Sequence, residues 1–337
     1  MKKILEVNDL HITFSTYGGE IKAVRGVDFE LHEGETLAIV GESGCGKSVT
    51  ANSIMRLIPS PAGKIANGEI IFKGNDLAKE SDKNMRKIRG VDISMIFQDP
   101  MTALNPTLTI GNQLTEGLRQ HKNVSRKEAE QKALEMLDLV GIPNPEERLK
   151  QYPHQFSGGM RQRIVIAIAL ICEPDLLIAD EPTTALDVTI QAQILELFET
   201  IQEETNVAII LITHDLGVVA KAADRIAVMY AGKIIESGTK YEVFYEPQHP
   251  YTQGLLNSIP RLDQKGEKLE PIDGTPPDLF SPPVGCPFTA RCPHAMFVCE
   301  KVYPLRHEPS ETHYADCWLY DERVHTPNLM NKKEETT

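Results

Sequence analysis

Residues 41–48 have the composition and spacing of a loop that wraps around phosphate groups. They read GESGCGKS and fit the pattern G-x-x-x-x-G-K-[ST] without exception. Glycine lets the backbone approach phosphate closely, so that amide groups and a helix N-terminus face the negative charge. Lys47 is expected to reach the β- and γ-phosphates of a nucleotide, and the Ser48 hydroxyl to ligate Mg²⁺. The residues predicted to contact the nucleotide here are Gly41, Ser43, Gly44, Cys45, Gly46, Lys47 and Ser48.

An acidic pair at the end of a second apolar run supplies the other half of such a site. The run LLIADEP places Asp180 where a carboxylate can support the Mg²⁺ shell. Glu181 follows it and is predicted to polarise or deprotonate the attacking water. The structural alternative is that the two carboxylates cap the helix that follows.

Four of the six cysteines lie near the C-terminus, at Cys286, Cys292, Cys299 and Cys317. In a cytosolic protein, clustered thiols hold metal more often than they form disulfides. The five, six and seventeen residues between them suit a bulky centre, so we expect a [4Fe–4S] cluster, with Zn²⁺ as the alternative. For zinc, further possible ligands are His294, His307 and His313. Structural support, docking and redox sensing all suit such a centre.

The composition bounds the kind of protein that carries these residues. The 337 residues are 41% apolar and 25% charged, as in soluble globular proteins, and the net charge is −13. This acidity disfavours nucleic acid and anionic membrane surfaces as partners. The apolar runs at 164–172 and 207–212 fall well short of the ~20 residues that a membrane span needs. With no signal peptide expected at the N-terminus, any membrane role is expected to act through a partner.

The pattern of apolar residues predicts the elements that position the site. Continuous apolar runs at 36–41, 176–180 and 207–213 indicate strands buried on both faces. Residues 125–140 and 189–205 have the spacing of amphipathic helices, and a helix over 48–57 is expected to leave the phosphate loop. This alternation predicts an α/β fold with a mostly parallel sheet and flanking helices. Past residue 259, proline and weak periodicity predict a loop-rich appendage.

Two further motifs carry a family resemblance. Residues 155–163 read QFSGGMRQR and residues 183–187 read TTALD. With the phosphate loop, they resemble the ATP-binding-cassette (ABC) ATPases. The resemblance implies that Ser157, Gly158 and Gly159 contact the γ-phosphate of a nucleotide held by the opposite subunit, although Phe156 and Met160 depart from the family signature.

Other positions of the family motif can be carried over individually. Gln98, in IFQDP, matches the glutamine that touches Mg²⁺ and leads into a helical subdomain. His214 matches the switch histidine that contacts the γ-phosphate, and Asp187 the aspartate that links two sites across a dimer. Tyr17 matches the aromatic residue under adenine, with Phe14 as a rival.

Motifs in the C-terminal third indicate which subgroup of the ABC ATPases the chain resembles. GKIIESG at 232–238, QHPYTQGLLNSIP at 248–260 and the cysteine-rich sequel resemble the ATPase subunits of bacterial dipeptide/oligopeptide importers. This implies a second ABC ATPase (a paralogue or the same chain), two membrane permease subunits, a solute-binding protein that acts indirectly, and a peripheral location on the cytoplasmic face of the membrane.

The same resemblance implies a division into domains. An ABC nucleotide-binding domain is expected at 1–255, with a helical subdomain inserted at about 99–164. A small metal-binding cysteine-rich domain would follow at 256–325, and a polar tail at 326–337.

Three alternatives remain from the sequence. The same ATPase type could serve another cargo such as nickel. The chain could be a soluble ABC protein acting on nucleic acid or ribosomes, although such proteins commonly carry both cassettes in one chain. It could also be a metal- or redox-sensing regulator whose ATPase is secondary.

Overall fold

The protein is described from a computed structural model that covers residues 2–184, 187–258 and 272–325. Its β-strands are β1 Lys3–Thr16, β2 Gly19–His32, β3 Thr36–Val40, β4 Gly63–Phe72, β5 Asn75–Asp76, β6 Ile93–Ile96, β7 Leu176–Asp180, β8 Ala208–Thr213, β9 Arg225–Tyr230, β10 Lys233–Thr239, β11 Arg306–His307 and β12 Tyr314–Asp316. Its α-helices are α1 Lys47–Ile54, α2 Asp82–Ile88, α3 Pro100–Ala103, α4 Ile110–His121, α5 Arg126–Leu139, α6 Pro145–Arg148, α7 Gly158–Leu170, α8 Val188–Thr205, α9 Leu216–Ala222, α10 Lys240–Tyr245, α11 Pro250–Asn257 and α12 Phe297–Lys301. Short 3₁₀ turns lie at Leu77–Lys79, Pro153–Gln155, Thr289–Arg291, Trp318–Tyr320 and Glu322–His325.

The central sheet has the strand order β11-β12-β10-β9-β3-β8-β7-β6. Five neighbouring strands, from β9 to β6, pair in parallel. The carboxyl ends of β3, β8, β7 and β6 therefore meet at one edge of the sheet, where ligand sites of α/β proteins form. The phosphate loop, Asp180, His214 and Gln98 all lie at or just beyond these ends.

The strands that the continuous apolar runs predict are buried along their whole length. Because side chains alternate across a strand, each strand feeds a separate core on each face of the sheet. Leu37, Ile39, Leu176 and Ile178 pack with the apolar side chains of β1, β2 and β4. On the other face, Leu177 and Ala179 pack with helices α4, α5, α7 and α8.

The sheet is mixed, so the prediction of a mostly parallel sheet is correct only for the five strands from β9 to β6. β9 and β10 form an antiparallel hairpin, and β12 pairs antiparallel with β10 through Glu236–Ala315 and Ser237–Tyr314. β1, β2, β4 and β5 form a separate antiparallel sheet. The sequence predicts a loop-rich appendage and gives no sign that it joins the sheet. Its strands are only two and three residues long, too short to give a periodic signal, yet they extend the core sheet.

The predicted helices form close to their expected positions. Residues 125–140 contain α5, which begins at a capping box made by Ser125 and Glu128. The helix predicted at 189–205 is α8, which begins one residue earlier, at Val188. The helix after the phosphate loop, α1, is shorter than expected and ends at Ile54. Helices α3 to α7 occupy the chain between β6 and β7, where the helical subdomain was expected. The domain limits themselves stay predictions, and the predicted tail at 326–337 lies outside the described residues.

Within the described ranges, no helix combines the length and apolar character that crossing a bilayer requires.

Candidate nucleotide site

The phosphate loop connects β3 to α1, as its sequence predicts. Gly46 begins the helix with a φ of 109°, and a Cβ there would lie 2.6 Å from the carbonyl oxygen of Ala23. Only glycine follows this path without strain. Ser43 and Gly44 are exposed at the loop tip, whereas Cys45 is buried beneath it. The loop therefore presents an open face of backbone amides at a helix N-terminus, which suits an anion.

Lys47 lies over this loop and is buried. Its Nζ donates hydrogen bonds to the carbonyl oxygens of Gly41 at 2.7 Å and of Glu42 at 3.0 Å. Cys45 Sγ lies 3.9 Å from the same nitrogen, and burial raises the pKa of the Cys45 thiol. The lysine thus places a positive charge at the centre of the loop, beside a neutral thiol.

Ser48 and Asp180 meet across the site. Ser48 Oγ donates a 2.9 Å hydrogen bond to Asp180 Oδ1. Burial, with a smaller contribution from the neighbouring Glu181 carboxylate, raises the pKa of Asp180. Hydroxyl and carboxylate oxygens are ligands that Mg²⁺ prefers, and a buried acid whose ionised form is disfavoured gains from a cation. These residues therefore fit the predicted Mg²⁺ site.

The Glu181 carboxylate contacts three polar side chains of the site. Its Oε2 accepts hydrogen bonds from Gln98 Nε2 and Thr184 Oγ1, both at 2.9 Å. His214 Nδ1 lies 3.2 Å from its Oε1. Burial alone would raise the pKa of Glu181, but the hydrogen bonds from Thr184 and His214 outweigh it and lower the pKa. The carboxylate is thus ionised and fixed in orientation, as a general base requires.

The backbone at Glu181 supports this placement. Glu181 adopts a φ of 49°, which is uncommon for a residue with a side chain, and its N–H donates to the carbonyl oxygen of Ile212 at 2.8 Å. β7 therefore stays tied to β8 one residue beyond its end. His214 follows β8 directly and is more than half exposed. The two parallel strands bring Glu181 and His214 together although they are 33 residues apart.

The signature residues lie at the exposed start of α7. Ser157 caps the helix by accepting a 3.4 Å hydrogen bond from the N–H of Met160, and a Cβ at Gly158 would meet nothing within 4 Å. Asp187 caps α8 through the N–H groups of Thr189 and Ile190. In the described part of the chain, neither Ser157 nor Asp187 forms a hydrogen bond with residues 41–48. Their action on a nucleotide held by another subunit stays a prediction.

Tyr17 lies in the turn between β1 and β2 and is fully exposed. Phe14 packs against the core instead. Of these two rings, Tyr17 is the one free to stack on a base.

Sequence reasoning missed Thr184 and Gln162. The Thr184 hydroxyl donates a hydrogen bond to the Glu181 carboxylate. The only indication of this contact in the sequence is that Thr184 lies three residues after Glu181. Gln162 is fully buried on α7, and its Nε2 donates to the carbonyl oxygen of Pro182 at 2.7 Å. It thereby connects the signature helix to the segment that carries Asp180 and Glu181. No spacing in the sequence indicates this contact.

The predicted metal centre in the C-terminal region is wrong. Among the described residues, no group of three or more His, Cys, Asp or Glu side chains could hold a metal ion. The four C-terminal cysteines line a cavity of about 10 Å³, room for about one water and too small for a [4Fe–4S] cluster. Burial raises the pKa of Cys286 to about 11 and that of Cys317 to about 12. These thiols are neutral. Cys286, Cys292 and Cys299 pack as small apolar side chains in the core of this region, and Cys317 is also buried. The described residues therefore support neither the predicted [4Fe–4S] cluster nor the alternative Zn²⁺ site.

Comparisons with known proteins agree with this geometry. Residues 24–184 match the family described as ABC transporter, and residues 235–299 match the oligopeptide/dipeptide transporter C-terminal region. The chain is 68% identical to the dipeptide transport ATP-binding protein DppD of Bacillus subtilis over 96% of this chain and 97% of that protein. It is 59% identical to the oligopeptide transport ATP-binding protein OppD of the same organism over 94% of this chain and 89% of that protein.

Solved structures show the same cassette. The dimeric ATP-binding cassette MJ0796, in a post-hydrolysis state bound to ADP and Pi, aligns with a TM-score of 0.63 and 28% identity, over 70% of this chain and 99% of that chain. CbiO1 of Clostridium perfringens, part of the ABC transporter complex cbiONQ, aligns with a TM-score of 0.63 and 29% identity, over 73% of this chain and 92% of that chain. With the site described above, these matches show that the chain is an ABC ATPase and belongs to the ATP-binding proteins of ABC transporters that carry the oligopeptide/dipeptide C-terminal region.

Proposed function

We propose that this chain is the ATP-hydrolysing subunit that powers the import of dipeptides and oligopeptides through a membrane ABC transporter. ATP hydrolysis is supported above all by the position of the Glu181 carboxylate beside the Ser48–Asp180 pair. Gln98, Thr184 and His214 hold this carboxylate in place. Lys47 and the amides of the phosphate loop bind the nucleotide phosphates.

The hydrogen bonds of Glu181 leave room for one water. In the described residues, Oε2 accepts two hydrogen bonds and Oε1 one, so Oε1 keeps an acceptor position for a water O–H. Glu181 orients this water and accepts its proton as the oxygen attacks the γ-phosphorus, while His214 contacts the γ-phosphate. The bond from the γ-phosphorus to the β–γ bridging oxygen breaks, and ADP leaves. Ser48, Asp180 and Gln98 would hold Mg²⁺, which would supply positive charge to neutralise the β- and γ-phosphates.

We propose further that ATP binds between two cassettes. Ser157 and Gly158 are exposed at the N-terminus of α7, and Gly159 is partly exposed, so this helix end is accessible to a phosphate held by another subunit, which supports this arrangement. Asp187 would link the two sites. The second cassette is a paralogue or a second copy of this chain.

The proposed cargo rests on the relatives. The matched relatives are named as dipeptide and oligopeptide transport ATP-binding proteins, and the similarity covers both the cassette and the C-terminal region. The partners would be two permease subunits, with a solute-binding protein acting through them, and the chain would lie at the cytoplasmic face of the membrane. The domain limits at 1–255, 256–325 and 326–337, with a helical subdomain at about 99–164, belong to this proposal.

Reconstituted vesicles test the cargo. The chain is assembled with its permease subunits and second ATPase, and uptake of a labelled dipeptide is measured with ATP and the solute-binding protein present. We expect uptake that needs ATP and is lost with Glu181→Gln. Vesicles that hydrolyse ATP without taking up peptide would reject the cargo, and uptake of nickel in the same vesicles would identify the alternative.

A further inference from the structure

Glu42, the second residue of the phosphate loop, forms an ion pair with the C-terminal region. Arg291 Nη1 lies 2.6 Å from Glu42 Oε2, and Arg291 Nη2 lies 2.9 Å from Glu42 Oε1. Two parallel hydrogen bonds between guanidinium and carboxylate form the strongest kind of side-chain ion pair. The Arg291 side chain is only 3% exposed and that of Glu42 is 28% exposed, so water screens this pair less than a surface pair.

Contacts other than those with Glu42 also fix the position of the Arg291 side chain. It donates hydrogen bonds to the carbonyl oxygens of Ile272 at 3.1 Å and Asp273 at 2.9 Å. Its guanidinium carbon lies 5.8 Å from the ring centre of Tyr230 and 5.9 Å from that of Phe288. Hydrogen bonds to Glu42 raise the pKa of Arg291. The guanidinium is therefore a preorganised, permanent positive charge facing the loop.

The backbone of Glu42 is bound from the same side. Its N–H donates a 2.9 Å hydrogen bond to the hydroxyl oxygen of Tyr251 on α11. Tyr251 is fully buried, with its ring centre 4.5 Å from that of Tyr230 and 5.4 Å from that of Phe288. The carbonyl oxygen of Glu42 in turn accepts the hydrogen bond from Lys47. Contacts thus run from the C-terminal region through Glu42 to the lysine that binds phosphate.

The charge of Glu42 makes this contact matter for nucleotide binding. A carboxylate in a loop that receives a triphosphate repels the ligand unless a neighbouring cation compensates it. We propose that Arg291 is a positioning residue of the nucleotide site: it holds and neutralises Glu42, so that the C-terminal region is needed for tight ATP binding by the phosphate loop. This inference rests on the proposed function of the same site.

A double-mutant cycle separates this role from simple attachment of the C-terminal region. Equilibrium binding of MgATP to the full-length chain is measured by calorimetry for Arg291→Met, Glu42→Gln and the double variant. We expect Arg291→Met to raise the Kd by about tenfold, because Glu42 loses its compensating charge. The double variant removes both charges, and its Kd should return to within about threefold of the wild type.

Turnover provides a second readout. Since Arg291 does not contact Glu181, Gln98 or His214, Arg291→Met should raise the KM for ATP by about as much as the Kd while kcat changes by less than about threefold. Arg126→Met serves as the matched control because it breaks the exposed ion pair of Arg126 with Glu130 on α5. Its Kd should equal that of the wild type.

Two outcomes of the binding measurements would contradict the proposed role of Arg291. Unchanged ATP affinity in Arg291→Met would overturn it. A double variant that binds ATP as weakly as Arg291→Met would also overturn it, since Arg291 would then only attach the C-terminal region to the phosphate loop. If Arg291→Met does not fold, Arg291→Gln, which removes the charge but keeps a donor for the carbonyl oxygens of Ile272 and Asp273, is measured in its place; the same roughly tenfold rise in Kd is expected, and an unchanged Kd would overturn the proposal. A wild-type chain that binds no ATP would instead reject the proposed function.

Discussion

Ser48 Oγ lies 2.9 Å from Asp180 Oδ1 and joins the phosphate loop to the end of β7 across 132 positions of the sequence. The contact forms because β3 and β7 flank β8 in the parallel part of the sheet, so their carboxyl ends lie at the same edge, one strand apart. It places a hydroxyl, a buried acid and the Glu181 carboxylate within one small volume.

Glu181→Gln should abolish ATP turnover while ATP binding remains. Glutamine keeps the size of the side chain but cannot accept a proton from water, so we expect kcat to fall by roughly 10²- to 10⁴-fold. Steady-state hydrolysis and MgATP binding, measured on the same preparation, test both parts. Hydrolysis at the wild-type rate would remove Glu181 from the role of general base.

Lys47→Ala should weaken nucleotide binding itself. The buried ammonium is the positive charge at the centre of the loop, and alanine also leaves the carbonyl oxygens of Gly41 and Glu42 without their donor. We expect the Kd for MgATP to rise by at least about tenfold. Lys127→Ala, at an exposed position on α5, is the control. An unchanged Kd would contradict the assignment of residues 41–48 as the phosphate loop.

Thr184→Val should change the pH dependence of hydrolysis. The Thr184 hydroxyl helps to lower the pKa of Glu181, so its removal raises that pKa. Because the reaction needs the ionised carboxylate, the acidic limb of the kcat–pH profile should move to higher pH. Thr200→Val is the control, since the Thr200 hydroxyl only bonds the carbonyl oxygen of Glu196 within α8. Identical profiles for Thr184→Val and the wild type would show that this hydroxyl does not tune Glu181.

Tyr17→Ala should weaken ATP binding, and Tyr17→Phe should not. The exposed ring lies where a base could stack on it, and stacking needs the ring rather than the hydroxyl. Removing the ring should raise the Kd by roughly five- to fiftyfold, as for other aromatic residues on which bases stack. Equal affinity for the wild type and Tyr17→Ala would leave the adenine contact unassigned.

Glu242→Gln should reduce stability at neutral pH but much less in acid. Burial alone would raise the pKa of Glu242, but hydrogen bonds from Ser310, Thr239 and Thr312 lower it from 4.5 to about 2. A depressed folded-state pKa stabilises the fold above pH 4.5, and this contribution is lost as the pH falls towards 2. The difference in Tm between wild type and variant should therefore shrink between pH 7 and pH 3. A difference that does not depend on pH would contradict this.

The sequence predicts the parts of the site whose residues lie together in a motif. Residues 41–48, Asp180 and Glu181 could be placed because each motif follows a buried strand, and parallel strands carry their ends to one edge of the sheet. The contact between Glu42 and Arg291 spans 249 positions and belongs to no repeating pattern, so only the folded chain reveals it. The antiparallel sheet packs on the face of β3 that carries Leu37 and Ile39, through Leu10, Ile12 and their neighbours. No pattern in the sequence indicates which of the two buried faces of β3 this sheet covers.

The cysteines show the opposite limit of sequence reasoning. Their clustering suggested a ligand set, but a cysteine is also a small apolar residue that suits a tightly packed interior. Spacing along the chain does not distinguish these two uses. The distinction depends on the space between the side chains, and here it is only about 10 Å³.

The pairing of β12 with β10 protects the sheet from self-association. Without β12, the backbone of Glu236 and Ser237 would form an open edge on which another chain could add a strand. Glu236 is fully buried and bonds His313 at 2.8 Å, so its carboxylate would also lose a partner. In the described residues the outermost strand on this side of the sheet is β11, which is two residues long and too short to template a partner strand. A chain cut before residue 272 should therefore aggregate rather than yield a smaller soluble cassette.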